Sequence, residues 1–139
     1  MLKHELIIAN DINELNRLST FLQDVCNEWG LDNELLFKLN LVSEEIISNI
    51  ILYGYGTSRK GENIHFKIIH EDDRIIICVT DWGKEFNPLN VPMPDDLDKQ
   101  AEERKIGGLG LYFIRKLMDE VVYKYENKQN ILCLTKNIS

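Results

Sequence analysis

Gly107, Gly108 and Gly110 form the segment of this sequence best suited to holding an anion. Glycines let the backbone approach a bulky anion closely. The apolar periodicity that follows predicts a helix, whose N-terminal N–H groups and positive dipole end would face that anion. The spacing therefore predicts a phosphate-binding loop. Glycines before a helix are also common in simple turns, so the loop alone does not decide between these two interpretations.

Asp81 and Gly83 form a second segment, directly after the apolar residues 75–79. A carboxylate at the end of a strand lies at the rim of its sheet, and the nearby glycine lets the backbone pass close to a flat ligand. Because an ionised carboxylate only accepts hydrogen bonds, Asp81 could select a ligand with an exocyclic amino group, such as adenine. The alternative interpretation is an ordinary Asp-x-Gly turn.

Glu45 and Asn49 form the third candidate, a carboxylate and a carboxamide four residues apart in a predicted helix. Side chains at this spacing lie side by side, one turn apart. Both lie off the main apolar arc of the helix, so the pair could line a cleft where the helix meets a sheet. Solvated residues on the polar flank of a helix would show the same spacing.

The elements that would position these residues follow from hydrophobic periodicity. The predicted order is a strand at 2–9, a helix from an Asn10-Asp11 cap to Gly30, a helix from Asp32 or Asn33 to about Tyr53, a hairpin of 63–70 with 74–80, a helix after the glycines and a hairpin of 120–126 with 130–136. Strands grouped as hairpins predict an α+β fold, a two-layer sandwich with helices on one face of a mixed, mainly antiparallel sheet.

The length of 139 residues predicts a single domain, 1–139. Residues 88–104 hold all three prolines and a polar, mostly acidic run, which predicts a long irregular segment. Segments of this kind often form lids, and we place this lid at about 87–106.

Charge and composition narrow the class of protein. A net charge of −7 argues against sequence-independent binding to nucleic acid, which relies on Lys and Arg. No stretch approaches the roughly 18 apolar residues that cross a bilayer, and the N-terminus lacks the layout of a secretion signal, so we expect a cytoplasmic protein without a membrane partner. Cys26, Cys78 and Cys133 are far apart in apolar surroundings, which predicts buried thiols rather than a disulfide or a zinc site.

Together, the helical Glu-x-x-x-Asn, the Asp-x-Gly at a strand end and the glycine-rich start of a helix resemble the ATP-binding domain shared by histidine kinases, gyrase, heat-shock chaperones and mismatch-repair ATPases. The sequence of residues 81–88, Asp-Trp-Gly-Lys-Glu-Phe-Asn-Pro, is similar to that of the small anti-sigma-factor serine kinases of bacteria. Residues 107–111, 117–121 and 134–136 extend this likeness over nearly the whole chain. The resemblance implies the two-layer Bergerat-type fold.

The resemblance also implies a role for each matching residue. It makes Asn49 the ligand of Mg²⁺ and Glu45 the general base that polarises the attacking hydroxyl. It makes Asp81 the carboxylate that reads adenine, with Thr135 helping through water. The residues that the resemblance assigns to ATP are Asn49, Asp81, Gly83, Phe86, Gly107, Gly108, Leu109, Gly110 and Thr135.

Two positions depart from the wider superfamily. Glu85 stands where many members have a second glycine, and the serine-kinase branch also lacks that glycine, which favours this branch over histidine kinases. Tyr53 stands where many relatives have histidine. A histidine kinase would also need a dimerisation helix pair with an acceptor histidine, and the sequence predicts no such pair.

The resemblance thus implies an ATP- and Mg²⁺-dependent serine/threonine kinase that phosphorylates an anti-sigma-factor antagonist, binds a sigma factor and forms a homodimer. The alternative is a module that binds ATP and sequesters a partner without transferring phosphate. Glu45 favours the kinase, because a module that only binds nucleotide has no need of a base beside its Mg²⁺ ligand.

Overall fold

The computed structural model describes residues 1–56, 62–90 and 110–138, which form a five-stranded sheet and a layer of helices. The strands are β1 (Leu2–Ala9), β2 (Asn63–Glu71), β3 (Arg74–Asp81), β4 (Glu120–Glu126) and β5 (Gln129–Asn137). The helices are α1 (Leu15–Glu28), α2 (Asn33–Asn49) and α3 (Gly110–Leu117), with short turns at Ile12–Glu14 and Pro88–Asn90 and a wider π-helical stretch at Ile50–Tyr55. The predicted α+β class is confirmed.

A polar cap determines where α2 begins. The Asp32 side chain accepts a hydrogen bond of 2.8 Å from the N–H of Leu35, which has no partner within the helix. The preceding helix ends just before Gly30, whose φ of 70° favours glycine. These two signals place α2 in the chain and so place Glu45 and Asn49 in its last two turns.

The strand order is β1-β2-β3-β5-β4, and every pairing among these strands is antiparallel, so the expected mixed sheet contains no parallel pair in the described residues. β3 is central, as its continuous apolar run predicts. Asn127 and Lys128 join β4 to β5 with φ values of 52° and 62°, the positive values that a two-residue hairpin turn requires. The resulting register places Asn130 opposite Asp81.

The helices cover one face of the sheet. Alternate residues of β3 and β5 are buried against them, whereas the residues between are only half-buried. Buried apolar residues from both layers form one core, which includes Leu22, Leu39, Ile46, Phe66, Ile77, Ile114 and Leu134. None of the helices in the part of the chain described above has the length and apolar composition needed to cross a bilayer.

The expectation of three buried thiols is wrong for two of them. Cys78 of β3 lies directly opposite Cys133 of β5, with the Cα atoms 4.1 Å apart, and the two sulfurs form a disulfide. These cysteines are 55 residues apart in sequence, and only the pairing of the two strands brings them together. Cys26 is a buried free cysteine, as expected.

Candidate functional site

The C-terminal end of α2 carries Glu45 and Asn49. Asn49 is the last residue of the α-helix, and Ile50–Tyr55 continues it in wider π-helical turns, which occur frequently at functional sites. Asn49 is 1% exposed, and its amide nitrogen donates a 3.4 Å hydrogen bond to the carbonyl of Pro88. This contact ties the end of α2 to the segment that leaves the central strand.

Two oxygen atoms at this end of α2, Glu45 Oε1 and Asn49 Oδ1, are buried without a hydrogen-bond partner. An unpaired buried acceptor costs about 1–3 kcal/mol, and native proteins contain few of them. Burial raises the pKa of the Glu45 carboxyl, and hydrogen bonding from the Asn49 side chain lowers it in part. A raised pKa makes a carboxylate a stronger base. The two oxygens mark a place that a partner from outside the chain could complete.

A divalent cation at this place would need ligands beyond the side chains present. Among the described residues, no group of three or more His, Cys, Asp and Glu side chains could hold a metal ion. Mg²⁺, however, commonly takes only one or two oxygens from a protein and completes its shell with waters and substrate phosphates. The unpaired Oδ1 of Asn49 fits one such position.

Asp81 is the last residue of β3, as the sequence predicts, and is 2% exposed. Its Oδ1 accepts hydrogen bonds of 2.9 Å from the N–H of Gly83 and from Nδ2 of Asn130. The first of these closes a tight Asp-x-Gly turn. The turn and the ligand-binding interpretation are therefore compatible, because the turn fixes the orientation of a carboxylate at the rim of the sheet.

Two glycines allow the residues around Asp81 to pack closely. A methyl group at Gly83 would lie 3.2 Å from Oδ1 of Asp81 and 3.2 Å from Cδ1 of Tyr55. A methyl group at Gly54 would lie 3.1 Å from Cδ2 of Phe86. The π-helical stretch after α2 and the turn after β3 are thus in direct contact, which links the turn that follows Asp81 to the continuation of the helix that carries Glu45 and Asn49.

The Tyr55 hydroxyl strengthens this contact. It donates a 2.7 Å hydrogen bond to the carbonyl of Asn63 and accepts one of 2.8 Å from the N–H of Trp82. Tyr55 is 4% exposed, so both bonds lie away from bulk water. The π-helical stretch is therefore hydrogen-bonded to both β2 and the turn that follows Asp81.

Asn130 is a site residue that the sequence interpretation missed. It is 2% exposed, lies opposite Asp81 in the sheet and donates to its carboxylate. A signal was present, because this asparagine alternates with Leu132 and Leu134, the other buried residues of β5. Recognising it would have required the register of β5 against β3.

Thr135 is not brought to this site. It lies further along β5 than Asn130 and pairs with Ile76 and Glu120. Its side chain belongs to the set of β5 residues that alternates with the buried, helix-facing set. Asn130 occupies the place beside Asp81, so the adenine role that the resemblance implied for Thr135 is not carried forward.

The glycine-rich loop lies largely outside the described residues, which exclude Gly107, Gly108 and Leu109, and residues 91–106 of the predicted lid are also excluded. Gly110 begins α3, so a helix follows the glycines as predicted. This helix packs against α2, and its Ile114 is buried in the core. The C-terminal continuation of the loop therefore lies against the helix that carries Glu45 and Asn49.

The antiparallel sheet with one layer of helices, Asp81 at the end of the central strand and Asn49 on the helix layer agree with the class that the resemblance implies, the ATP-binding domains. The family model described as histidine kinase-like ATPase domain matches residues 8–136, so the chain belongs to this family. A solved structure, the Acinetobacter baumannii histidine kinase AdeS, aligns with 100% of this chain and 70% of its own, with a TM-score of 0.53 and 14% identity. This likeness supports the fold alone.

Relatives with higher sequence identity than AdeS indicate which members of the family the chain resembles. The chain is 30% identical over 128 residues to serine-protein kinase RsbW of Listeria monocytogenes, covering 90% of this chain and 79% of that protein. It is also 30% identical over 117 residues to serine-protein kinase RsbW of Oceanobacillus iheyensis, covering 81% and 72%. These matches confirm the resemblance to anti-sigma-factor kinases that the sequence motifs indicate.

Proposed function

We propose that this protein is an ATP-dependent serine/threonine kinase that phosphorylates an anti-sigma-factor antagonist and binds a sigma factor. The observation that carries the proposal is the pair of buried oxygens without partners, Glu45 Oε1 and Asn49 Oδ1. A carboxylate whose pKa is raised by burial, one turn from an amide oxygen, suits a base beside a metal ligand. Membership of the ATPase family supports ATP as the phosphate donor.

Each residue of the site has a distinct role in this proposal. Glu45 accepts the proton of the attacking Ser or Thr hydroxyl, and Asp81 accepts a hydrogen bond from the adenine amino group. Asn49 would hold Mg²⁺, which would neutralise charge on the phosphates. Phosphoryl transfer depends mainly on positioning and electrostatic stabilisation, so these groups with a phosphate-binding loop form a sufficient set.

Parts of the proposal rest on the sequence and on the resemblance. Gly107, Gly108, Leu109 and Gly110 would wrap the phosphates, residues 87–106 would form a lid, and 1–139 would form one domain. A cytoplasmic location and a homodimeric state are expected on the same grounds. Light scattering of the purified protein tests the homodimeric state, because a monomeric mass at working concentrations contradicts a homodimer.

The decisive experiment compares Glu45→Gln with Glu44→Gln. Glu44 is the neighbouring carboxylate on the same helix, half-buried and hydrogen-bonded to Asn40, and so provides a matched loss of one charge. Labelled Mg-ATP is incubated with each variant and with candidate antagonists encoded near this gene, and ATP affinity is measured by calorimetry. Glu45→Gln should retain ATP binding while transfer slows by about 10²–10⁴-fold, the usual contribution of a positioned base. Glu44→Gln should behave as the wild type.

Asn49→Ala should fail differently from Glu45→Gln. Because it removes a metal ligand, it should weaken Mg-ATP binding and phosphate transfer together. Transfer at the wild-type rate by Glu45→Gln contradicts the role of Glu45 as the base. A wild type that binds ATP and a sigma factor but phosphorylates no candidate antagonist supports the partner-sequestering module instead.

A further inference from the structure

Asn130 uses both ends of its side chain within the protein. Its Nδ2 donates to Asp81 Oδ1 at 2.9 Å, to the carbonyl of Lys84 at 2.8 Å and, more weakly, to the carbonyl of Gly83 at 3.4 Å. Its Oδ1 accepts from the N–H of Phe86 at 2.9 Å and from the hydroxyl of Tyr123 at 2.6 Å. One buried amide thus connects β5 and β4 to the entire turn that follows β3.

These partners determine which way the amide points. The N–H of Phe86 can only donate, so it requires Oδ1 of Asn130 on its side. A reversed amide would place two donors against each other at Phe86 and two acceptors against each other at Asp81. The Tyr123 hydroxyl donates a further hydrogen bond to Oδ1 in this orientation. Nδ2 is therefore held toward Asp81.

The orientation of Asp81 in turn depends on Asn130. Oδ1 of Asp81 receives one donor from its own turn, the N–H of Gly83, and one from across the sheet, Nδ2 of Asn130. Two donors from different directions restrict rotation of the carboxylate about its terminal bond. Asn130 also fixes the backbone at Lys84 and Phe86, and Phe86 packs against Gly54. The Asn130 amide therefore fixes both the Asp81 carboxylate and the backbone beside it at Lys84 and Phe86.

We propose that Asn130 is a positioning residue for adenine recognition: supported by Tyr123, it orients the carboxylate of Asp81 toward the amino group of the base. Asn130 has no need to touch the nucleotide, since its own donor and acceptor atoms are engaged within the protein. This inference rests on the proposed function, because it takes Asp81 as the group that reads adenine. It predicts that Asn130 acts on the selectivity for the amino group rather than on triphosphate affinity in general.

The test compares ATP with purine riboside 5′-triphosphate, which differs only in lacking the 6-amino group. The ratio of the two dissociation constants measures recognition of that group alone. In the wild type the ratio should be about ten to a hundred, the loss expected for a hydrogen bond to a charged acceptor. Asn130→Leu, similar in size but without a donor, should bring the ratio close to one. Tyr123→Phe leaves the Asn130 amide in place but removes its hydroxyl partner, and it should lower the ratio by about two- to tenfold.

Asn137→Ala, a change of the same residue type at the other end of β5, serves as the control and should retain the wild-type ratio. A purely structural role for Asn130 would lower the melting temperature and weaken both nucleotides equally, leaving the ratio unchanged. That result in Asn130→Leu overturns the inference. If Asn130→Leu does not fold, an unchanged ratio in Tyr123→Phe overturns it. A wild-type ratio near one instead removes Asp81 as the reader of adenine, so failure of the proposed function is recognised separately.

Discussion

Replacing Asp81 with asparagine should weaken ATP binding far more than it destabilises the fold. The single oxygen of asparagine can still accept from Gly83 and Asn130, which both donate to Oδ1 in the wild type. The side chain then presents an NH₂ group where the carboxylate had its other acceptor, so it meets the adenine amino group donor to donor. Loss of a hydrogen bond to a charged acceptor is worth roughly 1.5–3 kcal/mol, or about ten- to a hundredfold in affinity.

Asp81→Ala provides the contrast, because it removes the internal acceptor as well. Nδ2 of Asn130 keeps the carbonyl of Lys84, but the N–H of Gly83 loses the partner it has in the turn. A buried donor left unpaired costs about 1–3 kcal/mol, so this variant should unfold at a lower urea concentration than Asp81→Asn. Both variants should bind ATP poorly.

Calorimetric titration with Mg-ATP and urea unfolding measure the two effects separately. Equal ATP affinity in Asp81→Asn and the wild type would refute the adenine role. Equal stability of the alanine and asparagine variants would refute the inference that Oδ1 holds the turn. GTP, which has a carbonyl where adenine has its amino group, should bind poorly to the wild type.

Three further perturbations test other parts of the structure. Because burial raises the pKa of Glu45, the fold favours its protonated carboxyl, and this contribution to stability is present at low pH and is lost as pH rises through the folded pKa. Glu45→Gln should remove this pH dependence of stability. Urea unfolding of both proteins at mildly acidic and mildly alkaline pH would show or refute this. Gly83→Ala should lower stability by about 1–3 kcal/mol, because the new methyl group lies 3.2 Å from the Tyr55 ring, and thermal unfolding at the wild-type temperature would contradict this. Replacing Cys78 and Cys133 together by serine should lower the free energy of unfolding by about 2–4 kcal/mol relative to the oxidised wild type and abolish the effect of a reducing agent. Oxidised wild type no more stable than this double variant would argue against a stabilising disulfide.

The sequence predicts the elements well because the local signals agree with one another. The Asp32 cap marks the start of α2 that the structure shows, and the predicted hairpin strands lie within a residue or two of β2, β3, β4 and β5. An apolar run followed by Asp-x-Gly marks where a strand stops, so the sequence predicts Asp81 at the end of β3, where the structure has it. The π-helical form of Ile50–Tyr55 could not be predicted, because periodicity indicates a helix there without revealing how wide its turns are.

The errors share one physical cause, the register between β3 and β5. Periodicity shows which residues of a strand share a face, but it does not show which residue of the next strand lies opposite each of them. That register pairs Cys78 with Cys133 and Asp81 with Asn130. Without it, the sequence indicates two separate thiols and does not identify Asn130 as the neighbour of Asp81.

The two ends of the candidate site are stabilised in different ways. At Asp81 the surrounding donors come from the chain itself, and such connected polar groups hold a recognition surface in place before a ligand arrives. At Glu45 and Asn49, one buried oxygen each lacks a partner, which costs free energy until a ligand supplies one. Under the proposed function, adenine therefore binds a preorganised surface, whereas Asn49 would be completed by Mg²⁺ and Glu45 by the hydroxyl of the phosphate acceptor. Nucleotide without the metal should therefore engage the first end and leave the Oδ1 of Asn49 without its partner.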